Sequence, residues 1–78
     1  MEFEYTRKRG QKRAYRVYVR LTGGPSLGFE YRAWVYHDED FKGQLTSFPL
    51  TATDAEAAIV EARERVERDI EDLVGINE

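Results

Sequence analysis

Two stretches of strict alternation constrain this chain more than any other feature. From Ala14 to Leu21, Tyr15, Val17, Val19 and Leu21 fall on one side, and Arg16, Tyr18 and Arg20 on the other. From Phe29 to His37, Phe29, Tyr31, Ala33 and Val35 oppose Glu30, Arg32, Trp34 and Tyr36. Period-two alternation of β-branched and aromatic residues belongs to a strand with one buried face. The connection Thr22-Gly23-Gly24-Pro25-Ser26-Leu27-Gly28 is expected to interrupt the ladder, because Gly-Gly-Pro does not continue one. The two strands should then pair antiparallel. A shorter strand is predicted over Phe3–Arg7, with Phe3 and Tyr5 on one face, before a polar turn at Arg9-Gly10-Gln11-Lys12-Arg13. Beyond an acidic turn from Asp38 to Gly43, a strand over Gln44–Phe48 would end at Pro49.

The period then changes once. Ala55, Ile59, Ala62, Val66, Ile70 and Leu73 recur every three or four residues and form the apolar stripe of a helix over about residues 54–74. Thr53-Asp54-Ala55-Glu56 has the form of a capping box with Thr53 as N-cap. Gly75-Ile76 suits a Schellman stop. The spacings Glu61/Arg65, Glu64/Arg68 and Arg68/Asp72 provide i,i+4 ion pairs on the outer face. Ala52, Ala55, Ala58 and Ala62 are small enough to let the helix approach a sheet closely. The expected fold class is therefore α+β: two layers, with a three- to four-stranded antiparallel sheet (about residues 3–50) followed by one long C-terminal helix on one face. Residues 1–78 make a single domain of ordinary small size.

Composition sets the other bounds. With no cysteine, neither a disulfide framework nor a thiolate metal site is available, and no apolar run reaches membrane-spanning length. A soluble cytoplasmic protein without cofactor, metal or membrane partner is expected. One histidine, no cysteine and no serine in a strand-to-helix elbow give no nucleophilic site, and two thin layers rarely enclose a pocket, so no enzyme activity or small-molecule substrate is expected. His37-Asp38-Glu39-Asp40 lacks calcium-loop spacing and reads as a solvated turn, while the Gly23–Gly28 loop lacks the Gly-Lys-Ser/Thr ending of a phosphate loop.

Charge is divided unevenly. Residues 1–36 hold eight Lys/Arg against three acids, and residues 37–78 hold four against twelve, within a net charge of −3. If the helix covers one sheet face, the other carries Arg16, Tyr18, Arg20, Arg32, Trp34 and Tyr36, with Glu30 as its one expected acid. Arg7, Arg9, Lys12 and Arg13 on the adjoining turn extend the candidate surface. Tyr, Trp and Arg are the residue types that dominate protein–protein hot spots. Arginines interleaved with aromatic rings also suit single-stranded DNA or RNA, cations tracking phosphates and rings stacking on bases. Most nucleic-acid-binding domains are basic overall and this chain is acidic, so a protein partner or a homodimer ranks first and single-stranded nucleic acid second. Glu71 and Asp72 are out of place, since acids in a last helical turn oppose the helix dipole; a basic partner would account for them.

In element order alone, four strands and then a helix resembles the single-strand-binding folds of the positive cofactor 4 and PUR types, and the partial ribonuclease-H-like domain of HicB-type antitoxins. The first resemblance implies a dimer and single-stranded nucleic acid; the second implies a toxin partner. Element order does not fix function. A double-stranded-RNA-binding domain fits less well, because the helix here opens on Thr53-Asp54-Ala55-Glu56, which repels phosphate.

Overall fold

The computed structural model describes residues 1–46 and 49–78. It contains β1 (Glu2–Thr6), β2 (Ala14–Gly24), β3 (Gly28–His37), β4 (Asp40–Thr46) and α1 (Ala55–Asp72). The strands form one open antiparallel sheet in the order β1-β2-β3-β4, each hydrogen-bonded to the next in sequence. The helix lies across the inner face, against β2 and β3. The result is a small α+β domain of the ββββα type.

Alternation decides the inner face. Tyr15, Val17 and Val19 from β2, Phe29, Tyr31, Ala33 and Val35 from β3, Phe3 from β1 and Leu45 from β4 are buried against Ala58, Ala62, Val66 and Ile70 of the helix. Leu50 and Ile76 close the two ends of this core. Ala62, Val66 and Ile70 are buried as expected, but the start of the stripe is rotated: Ala58 is buried, whereas Ala55 is exposed and Ile59 is 37% exposed. Both rows satisfy the three-four spacing, and packing on the sheet selects the row with the smaller side chains at its start. Arg63 reaches back from the helix to lie 4.6 Å above the Phe3 ring, covering the inner face at the β1 edge.

Several boundaries move for identifiable reasons. Gly23 and Gly24 stay in the ladder, paired with Phe29 and Gly28, so the loop shrinks to Pro25-Ser26-Leu27. Gly23 adopts a φ of 94°, which leaves the pairing intact only because it has no side chain. The expected Asp38–Gly43 turn reduces to Asp38-Glu39, with His37 opposite Asp40, and β4 begins at once. Ser47 and Phe48, the predicted end of that strand, lie outside the described residues. The helix is capped by Asp54, not Thr53: its carboxylate accepts from the Ala57 amide at 2.9 Å. Thr53 and Asp54 both have N-cap chemistry, and Asp is the stronger acceptor of the two. At the other end the left-handed cap is Leu73, two residues before Gly75 (which also has a positive φ), and Val74 N–H donates to the Asp69 carbonyl at 2.9 Å. This is a Schellman closure two residues early.

The outer-face ion pairing also differs. The helical i,i+4 pair that forms among the described residues is Arg63–Glu67 at 3.2 Å. Glu61 turns instead to the chain before the helix, accepting from the Thr51 amide and hydroxyl and from the Ala52 amide. These bonds hold its pKa below the ordinary carboxylate value and fix the approach of the β4–α1 connection. No helix among the described residues is long and apolar enough to cross a membrane.

Candidate interaction surface

The outer face of the sheet has no covering layer. Register places its residues in rows: Glu4, Arg16, Tyr36 and Phe41; then Glu2, Tyr18, Trp34 and Gln44; then Arg20, Arg32 and Thr46; then Thr22 and Glu30. All six sheet residues expected there (Arg16, Tyr18, Arg20, Arg32, Trp34 and Tyr36) share this one face.

Besides the uncharged polar Thr22, Gln44 and Thr46, the structure adds three residues to that face. Glu2 and Glu4 flank Phe3, which points to the core, so both carboxylates face outward from β1. The face therefore carries three acids against three arginines instead of Glu30 alone. Phe41 is the third. Its neighbour Gly43 pairs with Val35, yet Phe41 pairs with Tyr36, so Lys42 is the extra residue of a β-bulge. A bulge shifts side-chain parity by one, which re-aims Phe41 outward. Gly43 is the sequence signal for it. A Cβ there would come within 2.2 Å of the Gly75 carbonyl oxygen, so only glycine lets the tail pack on β4.

The rings form a continuous strip. Tyr18 and Tyr36 meet edge-on with centroids 5.8 Å apart, and Tyr36 and Phe41 at 5.4 Å. Trp34, half-buried, stands directly across from Tyr18. Tyr18 is 39% exposed and Phe41 55%. Arg16 lies 3.6 Å from Glu2, and the Tyr18 phenol and this carboxylate both favour its charged form. Arg20 and Arg32 face each other across β2 and β3. They border a shallow open depression of about 450 Å³ with Thr22, Glu30 and Thr46. Neither arginine has an acid partner among the described residues, and like charges directly opposite are unfavourable in a sheet.

The basic turn lies elsewhere. Arg7 points inward and is 8% exposed. Its guanidinium pairs with Glu78 at 2.8 Å and donates to the Glu71 carbonyl at 2.9 Å. Arg9 binds Glu71 and Asp72 at 2.9 and 2.6 Å and also donates to the Glu71 carbonyl. Arg13 bonds to Gln11, and Lys12 is exposed at the turn. Arg7 and Arg9 thus satisfy the carbonyl end of the helix from outside it, in place of the basic last-turn residues the helix lacks. The basic partner that Glu71 and Asp72 call for is in the same chain.

Glu71 is the centre of this closure. Its carboxylate also accepts from the Lys8 amide at 2.9 Å and the Tyr5 hydroxyl at 2.7 Å. With Arg9, these donors lower its pKa from 4.5 to about 2, the Lys8 amide contributing most. A carboxylate with a depressed folded-state pKa binds protons more readily when unfolded. Its contribution is therefore complete above about pH 4.5 and is lost as the pH falls through about 2. Acid titration of wild type and Glu71→Gln by circular dichroism should show the variant less stable at neutral pH but with a shallower loss over that window. Parallel curves would show that Glu71 is not tied to the β1–β2 connection in solution.

Around His37, the ring Nδ1 lies 3.1 Å from the Ala14 carbonyl and Nε2 3.6 Å from Asp38. No group of three His, Asp or Glu side chains among the described residues is arranged to hold a metal ion. No family model, no curated protein and no solved structure matches this chain.

Proposed function

We propose that this domain is a non-enzymatic interaction module whose outer sheet face is covered by a protein surface, either a partner's or a second copy's. The observation that carries this reading is the exposed strip Phe41–Tyr36–Tyr18 beside Trp34, set among equal numbers of acidic and basic side chains. Contiguous exposed aromatic surface rimmed by charges of both signs is the composition of a protein interface, with aromatic anchors inside and polar groups around them. The single-stranded nucleic-acid reading keeps its stacking rings but has a weaker electrostatic basis. Three glutamates balance the three arginines of the face, and Arg7 and Arg9 are committed to the helix end. Binding to a polyanion needs a net excess of cations along its track.

The test is a photo-crosslinking amino acid placed at Tyr18, with Val60 on the outer face of the helix as control, in the cells that make the protein. Protein adducts from position 18 and none from position 60 are expected. DNA or RNA adducts from position 18 would move the reading to nucleic acid. Adducts from neither position, or equally from both, would overturn the assignment of this face.

A further inference from the structure

Resting on that reading, we propose that the occupant of the open face is a second copy of this chain, docked about a two-fold axis that runs through Tyr18 and sets Glu2 and Glu4 of each copy over Arg20 and Arg32 of the other. The strand residues of the face carry three charges of each sign, partly displaced: the β1 edge carries Glu2 and Glu4 with Arg16 beside them, and the row beyond Tyr18 and Trp34 carries Arg20 and Arg32 with Glu30 in the row after it. Among the described residues, Glu4, Arg20 and Arg32 form no ion pair. A two-fold interface uses one patch twice, so it must be complementary to itself. Separated acidic and basic pairs on one face meet that condition; a face of one sign does not.

Strands lie about 4.8 Å apart and same-face residues about 6.8 Å apart along a strand. On that grid the line that interchanges the Glu2/Glu4 pair with the Arg20/Arg32 pair runs obliquely, at about 55° to the strands. It brings Glu2 over Arg20 and Glu4 over Arg32 of the second copy together, each to within about 1.5 Å of register. The same line passes over Tyr18 and beside Trp34, so the rings of the two copies meet along the axis. The strands of the two sheets then cross at about 70°, nearer the orthogonal class of sheet packing than the aligned one. The helices stay on the outside, giving four layers.

Edge-to-edge pairing does not offer the same fit. Antiparallel β1–β1 pairing centred on Phe3 sets each Glu2 opposite a Glu4, which repels. At the β4 edge, the Lys42 carbonyl already accepts from the Asn77 amide at 3.0 Å, and the bulge interrupts the row of free backbone groups. The open face covers a flat footprint of about 400 Å² per copy, below the range of lasting complexes, so the association is weak and concentration-dependent.

Sedimentation over a wide concentration range, on wild type and two charge-reversed variants, tests this. Wild type should shift from a 9.1 kDa monomer toward twice that mass. Glu2→Lys/Glu4→Lys and Arg20→Glu/Arg32→Glu should each stay monomeric, since each sets like charges face to face. An equimolar mixture of the two should regain the dimer, because every opposed pair is again of opposite sign. A second measurement keeps all native charges: the chain has no cysteine, so Tyr18→Cys should link to its own kind on mild oxidation while Val60→Cys does not. A wild type that remains monomeric, or a dimer indifferent to both reversals, would overturn the two-fold assignment. Protein adducts at position 18 with a different chain would leave the broader reading standing.

Discussion

Replacing Ile70 by alanine is expected to cost about 2–5 kcal/mol, while the same change at Ile59 costs less than about 1 kcal/mol. Ile70 is wholly buried in the last turn of the helix, whereas Ile59 is 37% exposed. A chain of this length has roughly 4–12 kcal/mol of total stability. The Ile70→Ala variant should therefore lose a large share of that margin, with a Tm lower by about 10–30 °C. Urea and thermal unfolding followed by circular dichroism measure both variants. The contrast is the informative part, because the spacing of apolar residues assigns the two isoleucines to one stripe. Equal losses would mean that the helix sits on the sheet in another rotation.

The second large effect falls on two adjacent glycines that should behave oppositely. A Cβ on Gly23 would meet the Gly28 carbonyl oxygen at 2.1 Å, on a residue whose φ is 94°. Backbone cannot yield as a side-chain tip can, so Gly23→Ala should lose about 2–3 kcal/mol and loosen the β2–β3 connection. A Cβ on Gly24 meets nothing within 4 Å. Gly24→Ala should be neutral, or gain up to about 1 kcal/mol by restricting the unfolded chain. Unfolding midpoints of the two variants decide this, and a Gly23→Ala protein as stable as wild type would refute the hairpin geometry.

These residues show where the sequence is legible. Alternation over Ala14–Leu21 and Phe29–His37 identifies the central strands and their faces, because a buried face leaves no freedom of register. The switch of period at the capping residues locates the helix, and the two together give the ββββα order. What alternation does not carry is parity at the edges. Glu2 and Glu4 face outward because Phe3 is drawn to the core, and Phe41 faces outward because of a bulge, so a face that reads as basic with one acid is neutral. Nor does local pattern carry contacts between distant segments. Arg7 and Arg9 have the composition of a solvated basic turn, and only the packing of the helix end against the β1–β2 connection buries Arg7 and engages the still exposed Arg9 in ion pairs. The start of the helical row was undetermined for a related reason: Ala55/Ile59 and Ala58 have equal claim on spacing ahead of Ala62, and the sheet makes the selection.

The closure around Glu71 bears on how the chain folds as a whole. Its donors lie 62 to 66 residues away along the sequence. Bringing such distant segments together carries a loop-closure entropy that local contacts do not. The helix depends on the sheet twice, for the surface that buries its stripe and for the side chains that terminate its last turn. Neither layer therefore has an independent reason to persist, and the first ten residues and the last ten stand or fall as one cooperative unit.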